Sequence, residues 1–274
     1  QFEMGSSDAE IAAVIEKAAL TKSDGAGNVQ AEAPAHTVAI AAPFALARTA
    51  VTRQQYAAFL ADSGHVSGFG CWIKLALSDE WRVIREPRPK VPNSLEFKQS
   101  DDHPVVCITW NDAVAYTAWL SVKTGRRYRL PTEAEREYAT RAGTTTRYAF
   151  GNTLGLADAR SRGASSGTVA VAVYSANLWG LYDLHGNVWE WVEDTWHPDY
   201  SGAPADGSAW IDETSKYRTL RGGAWNSHVL GLRSASRLFS PPDVRLDTTR
   251  PDVRTHVQAI VEQLGARGFV PRHG

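Results

Sequence analysis

Gly180-Leu181-Tyr182-Asp183-Leu184-His185-Gly186-Asn187-Val188-Trp189-Glu190-Trp191 is the stretch on which the reading of the fold turns. Two carboxylates, Asp183 and Glu190, bracket a Gly-Asn pair, and two tryptophans close the segment. Gly186 and Asn187 permit the left-handed backbone that a tight loop needs. Carboxylates combined with backbone carbonyls form the oxygen shell that a hard cation prefers. The plainer alternative is an ordinary turn with solvated acids. Outward from this segment, the chain carries ten tryptophans, all beyond residue 70 and crowded between Trp179 and Trp225. Rings packed that densely predict an aromatic-cored, loop-rich domain, most of them serving as core filler.

Three segments upstream read as helices, each with its own punctuation. Thr52-Arg53-Gln54-Gln55 is a capping-box pattern, followed by Tyr56, Phe59 and Leu60 at helical spacing. Trp110 to Lys123 carries Ala113, Tyr116, Trp119 and Leu120 and stops at Gly125. Thr132-Glu133-Ala134-Glu135, directly after Pro131, opens a helix that ends near Gly143. A fourth helix is predicted over Ala9–Leu20. The Asp/Gly-rich stretch from Ser23 to Asn28 comes after it, so residues 8–35 read as a helical and flexible insertion. Strands are predicted at His36–Ile40, Val105–Ile108, Val169–Val173 and Tyr217–Arg221. From about residue 144 helical periodicity is lost until Val257–Leu264. A few helices followed by long irregular segments with scattered short strands define an α+β class, read as a single domain over 1–274. Loops of such length are functional or are held by something.

Composition narrows the function. The net charge is −1, which gives no basis for non-specific nucleic-acid binding. No run of about 18 apolar residues is present, so no membrane span is expected. Two cysteines cannot build a disulfide scaffold or a four-thiolate zinc site. Cys71 and Cys107 either form one disulfide, closing a loop of about 37 residues and contributing about 3–4 kcal/mol, or remain two free buried thiols. The first residue is Gln1 rather than Met, so the start reads as processed or trimmed. Any leader is thereby lost to view, and a cell-surface or periplasmic placement stays open.

Phe2-Glu3-Met4-Gly5-Ser6, His103-Pro104-Val105-Val106 with Trp110-Asn111-Asp112-Ala113, Arg129-Leu130-Pro131-Thr132-Glu133-Ala134-Glu135, the opening segment, Arg221-Gly222-Gly223-Ala224-Trp225 and Arg233-Ser234-Ala235 occur in that order. In this combination the chain resembles the formylglycine-generating enzyme, or sulfatase-modifying factor, family from Phe2 to about Arg245. The resemblance implies an elaborated C-type-lectin-like fold of the α+β class. It also implies a structural Ca²⁺ held by oxygens at Asp183, Gly186, Val188 and Glu190. A second calcium site of the family is not supported by Ala157-Asp158-Ala159-Arg160 and the Ser, Gly and Val residues after it. Arg136 stands where the family usually has tryptophan, a change read as a loss of core packing. Glu133 and Glu135 are read as serving the helix N-terminus and Glu137 as pairing with a buried arginine.

The family's namesake oxidises a substrate cysteine with a copper ion held by two cysteines just after the Arg-Gly-Gly-aromatic strand. Here Asn226-Ser227-His228-Val229-Leu230-Gly231-Leu232 contains no cysteine. Ser227 is the nearest counterpart of the first ligand, and a hydroxyl is a poor ligand for Cu(I). No copper is therefore expected, and formylglycine generation is disfavoured. The iron-dependent branch of the family is disfavoured too, for want of a second helical domain. From Asn226 to Val257 the chain lacks Lys, Gln, Glu, Met and Trp. This is similar to the surface of retroelement-diversified variable proteins of the same fold.

The resemblance implies two functions. The first is a calcium-stabilised binding module that presents residues 226–249 to a protein, peptide or small-molecule ligand in a C-terminal groove. Asn226, Ser227, His228, Val229, Leu230, Arg233, Ser236, Arg237, Leu238 and Phe239 are its candidate contacts. The second is an oxidative maturation enzyme of the family that works without the cysteine pair, similar to the periplasmic members that mature the pyoverdine siderophore. No catalytic residue is assignable from the sequence, and residues 250–274 read as an atypical C-terminal tail.

Overall fold

A computed structural model describes residues 1–21, 27–67, 72–74, 81–83, 98–164 and 167–242. Strand β1 (Phe2–Met4) pairs antiparallel with β2 (His36–Val38). Between them lie helix α1 (Asp8–Leu20) and a short 3-10 helix at Val29–Glu32. Next come α2 (Arg53–Ser63), the hairpin strands β3 (Trp72–Lys74) and β4 (Trp81–Val83), α3 (Trp110–Thr124) and α4 (Glu133–Arg141). The last sheet is antiparallel in the order β5 (Glu190–Thr195), β6 (Arg218–Arg221), β7 (Arg237–Ser240). The class is α+β with short strands joined by long irregular connections.

The helices form where their caps predict. Thr52 and Thr132 each accept the backbone N–H three residues on, and the Gln55 and Glu135 side chains return the bond. Ser7 with Glu10 and Thr109 with Asp112 do the same for α1 and α3. Gly125 ends α3 in left-handed backbone, as expected. Helix α4 ends one residue early: Ala142 itself adopts φ +47. Helices α2 and α3 meet over an aromatic cluster of Tyr56, Phe59 and Tyr116 with Trp119 at its edge.

Two strand expectations fail. Val105–Ile108 is buried but pairs with nothing as a strand; its one bridge is Thr52 to Pro104. Cys107 there sits at φ +63, which breaks extended geometry. Val169–Val173 is likewise interrupted by Ala172 at φ +61. Conversely, β1, β5 and β7 form where no strand is expected. Strand β7 reads Arg-Leu-Phe-Ser, and its charged first residue hides a strand that is buried apart from Phe239. The helix expected at Val257–Leu264, the tail and most of the 23–28 stretch lie outside the described residues.

The final sheet carries an unusual line of charge. Its register sets Glu190 opposite Arg221 and Arg221 opposite Arg237, one transverse row of three charges. Helix α4 lies across this row and carries Glu133, Arg136 and Glu137, residues at i, i+3 and i+4 on one face. The apolar core, built on Trp191, Leu220, Leu238 and Ala113, lies on the same sheet.

Candidate functional site

Charge complementarity between α4 and the sheet row is close to one-to-one. Arg136 donates through Nε to Glu190 at 3.1 Å. Glu137 pairs with Arg221, and Arg141 reaches the other oxygen of the same carboxylate. Glu133 takes Arg237 in a fork, Nε at 2.6 Å and Nη2 at 3.0 Å, with the Tyr200 hydroxyl donating at 3.0 Å. Burial alone would push the Glu133 carboxyl up, but Arg237 and Arg221 reverse that and hold it below the usual range. Burial also works against the Arg237 guanidinium, and Glu133 more than restores it. Glu133 therefore does more than serve its helix end, while Glu135 does cap α4 and binds Arg129 at 2.6 Å. Glu137 makes the expected arginine pair.

Asp194 lies beside this network with no ion-pair partner of its own among the described residues. Its oxygens accept N–H groups from Glu133 at 2.7 Å and Trp210 at 2.9 Å. Burial, then the Glu133 charge, raises it to about 7. His185 is the mirror case: burial first, with the Arg136 and Arg141 charges adding to it, lowers it to about 4. It is neutral with the proton on Nδ1, because Nδ1 faces the Leu232 carbonyl at 2.7 Å and Nε2 faces the Ala149 N–H.

The Asp183–Glu190 loop has the tight backbone its sequence implies. Asp183, Gly186 and Asn187 have φ of +57, +91 and +64. A Cβ on Gly186 would run into the Arg160 carbonyl, which accepts the Asn187 N–H at 3.0 Å. The Asn187 side chain clamps Val169 through both its amide atoms. Asp183 is buried; Oδ2 accepts the Ala172 N–H at 2.7 Å, and Oδ1 has no hydrogen-bond partner among the described residues. Burial, and then the Glu190 charge, raises its carboxyl above the usual range. An orphaned, desolvated carboxylate oxygen fits the cation implied for this loop. Glu190 is less open to it, because Arg136 already holds one of its oxygens. Arg136 is thus more than lost packing: its guanidinium is fully buried and serves the loop. Among the described residues no group of three or more His, Cys, Asp or Glu side chains could hold a metal, so an ion here would depend on the Gly186 and Val188 carbonyls.

The expected ligand-binding segment packs inward. Asn226, Ser227, Leu230, Arg233, Ser236, Arg237 and Leu238 are buried. Ser227 Oγ accepts the Ala224 N–H, Arg233 forks onto Glu32 at 2.5 and 2.7 Å, and Leu238 belongs to the central core. Only His228, Val229 and Phe239 of the ten candidates keep partial exposure, and Phe239 spends one face on Trp196. Residues 243–249 lie outside the described residues. Cys107 is disulfide-bonded, whereas Cys71 lies outside the described residues. Sequence reasoning missed Glu32 altogether, since its partner is 201 positions away.

A lectin-like α+β scaffold of loops pinned by a buried Arg–Glu network is the class that fold and site define together. The sulfatase-modifying factor enzyme 1-like domain model matches residues 1–249, and the chain belongs to that family. The formylglycine-generating enzyme of Thermomonospora curvata is 32% identical over 254 residues, spanning 77% of this chain and 81% of that one. Among solved structures, PvdO from Pseudomonas aeruginosa is 35% identical, with a TM-score of 0.72 over 89% of this chain and 86% of PvdO. Treponema denticola variable protein 1 is 22% identical at a TM-score of 0.53, covering 73% of this chain and 79% of its own, a likeness of fold alone. No helix among the described residues is long and apolar enough to cross a membrane.

Proposed function

We propose that the chain is a maturation protein of this family that works without a copper-binding cysteine pair, acting on a peptide or peptide-derived small molecule. The likeness to PvdO carries this reading, because it extends over nearly the whole of both chains. The alternative, a diversified display surface over residues 226–249, needs outward-facing side chains. The described part of that segment instead supplies core and ion pairs. Ser227, the position that would supply the first thiolate, is buried with its hydroxyl engaged by the backbone, an arrangement unsuited to Cu(I). Any substrate contact from the described part of this segment then falls on His228, Val229 and Phe239. Calcium at Asp183, Glu190 and the carbonyls of Gly186 and Val188 belongs to the same proposal only as an accessory ion that the fold does not require, with no part in turnover.

Two measurements test it together. Copper-loaded protein incubated in air with a cysteine-containing sulfatase peptide is expected to give no formylglycine by mass spectrometry. Deletion of the protein from its host is expected to leave a siderophore-type peptide precursor that still carries the hydrogens its oxidation removes. Formylglycine in the first assay, or an unchanged metabolite profile in the second, refutes the reading.

A further inference from the structure

Arg136 is the observation the proposed function does not absorb. It projects from the middle of α4, is 1% exposed, and spends its guanidinium on the loop between Asp183 and Glu190. Nε donates to Glu190 at 3.1 Å, Nη2 to the Leu184 carbonyl at 3.3 Å, and Nη1 to the Thr140 hydroxyl. Gly222, at φ +97, leaves room for it: a Cβ there would stand 3.0 Å from Nη2, 3.4 Å from the Leu184 oxygen and 3.9 Å from the Val188 oxygen. The guanidinium therefore lies on the inner side of the loop, bonded to one carboxylate and to the Leu184 carbonyl. Carboxylate and carbonyl oxygens around one positive centre are the donor set of a bound hard cation. Here the positive centre is covalently part of the chain.

We propose that Arg136 is a tethered substitute for a loop-closing ion: its guanidinium holds Glu190 and the Leu184 carbonyl to helix α4, so the loop stays closed without bound calcium. Electrostatics supports the assignment. Asp183 and Glu190 are the two carboxylates of this loop, and a fixed guanidinium pairs with the second of them at 3.1 Å. Its planar fork satisfies a carboxylate and a carbonyl at once, which an ammonium does less well. A divalent ion entering between Asp183 and Glu190 would meet that positive charge, so calcium becomes optional to the fold. The inference leaves the proposed maturation activity aside and bears only on how the loop is held.

Thermal melts of the full chain in excess EGTA and in millimolar calcium chloride test it, using wild type, R136M, R136W and R136K. Wild type is expected to melt within about 2 °C in the two buffers. R136M is expected to melt at least about 6 °C lower in EGTA, given the usual cost of stranding a half-buried carboxylate partner. Calcium should restore at least half of that loss. R136W, carrying the residue usual at this position, should likewise fold with calcium and lose stability without it, and R136K should fall between. A wild-type melt that collapses in EGTA overturns the proposal, because the loop then needs its ion despite the arginine. An R136M melt equal to wild type overturns it as well. So does an R136M loss that calcium fails to restore, which makes Arg136 a core ion pair only. If R136M is insoluble, R136W decides by the same criteria. Insolubility of both in calcium refutes the substitution.

Discussion

Replacing Glu133 by Gln keeps the volume of the side chain and removes its charge, which isolates what that charge does. Glu133 is the sole carboxylate on Arg237 among the described contacts; the remaining partners are the Ala31 carbonyl at 2.6 Å and the faces of Tyr200 and Trp196. Arg221 keeps Glu137 and two carbonyls, from Ser234 and Ala235. The substitution therefore leaves one fully buried guanidinium without an anion. Breaking a buried pair in this way costs about 3–5 kcal/mol. For a chain of this size the melting temperature should fall by about 6–20 °C. Urea unfolding at pH 7.5, followed by tryptophan fluorescence, gives the free energy directly. E133Q/R237M should lose less than the sum of its single variants, with a coupling of at least about 1 kcal/mol. A single E133Q loss below about 1 kcal/mol with unchanged m-value would show that the paired charges contribute no more than exposed ones, and the reasoning fails.

Acid response offers a second check. Asp194 sits at about 7 folded against 3.8 unfolded, so its neutral form stabilises the fold at low pH, and that contribution is lost as pH rises towards 7. His185 sits at about 4 against 6.5, so its contribution is present above 6.5 and lost as pH falls towards 4. The two oppose each other between about 4.5 and 6.5, and wild-type stability should be nearly flat there. D194N should instead lose about 1.4 kcal/mol per pH unit on acidification through that window; a flat D194N curve in urea melts contradicts the assignment. Gly186→Ala should cost about 3 kcal/mol or more, from left-handed strain plus a collision with the Arg160 carbonyl. Gly202→Ala, at φ +86 but with open space around it, should cost only about 1 kcal/mol by the same melts; equal losses would discount the collision. Pairing of Cys107 with Cys71 remains a proposal: unreduced, denatured protein should show no thiol reactive to Ellman's reagent, and two thiols would exclude the bond.

The sequence discloses whatever is local. Thr52 and Thr132 announce their helices because a capping box lies within four residues, and Gly125 ends α3 by its own conformational freedom. The turn at Gly186-Asn187 is legible for the same reason. Val105–Ile108 misleads because apolar content signals burial, and burial without a paired neighbour is not a strand. Strand β7 and the network hide for the opposite reason. Arg237 reads as solvent-facing until Glu133, 104 positions away, is seen against it, and Arg136 reads as damage until Glu190 is. Long-range ion pairs leave no periodicity to detect.

The pairing of Glu32 with Arg233 has a consequence for how the protein is made. The N-terminal 3-10 helix must wait for some two hundred residues to be synthesised before its buried carboxylate finds a counter-ion. The β1–β2 pair waits for about 130 residues, since Gly5, next to β1, is held by Glu137 and Arg141 of α4. Each contact between distant parts closes a large loop and brings little until the others form. A nascent chain released before Arg233 and Arg237 would leave Glu32 and Glu133 without their arginines. Such a fold is expected to close only once β7 has been synthesised. C-terminal truncations within β7 should therefore yield aggregated chains rather than a shorter folded domain.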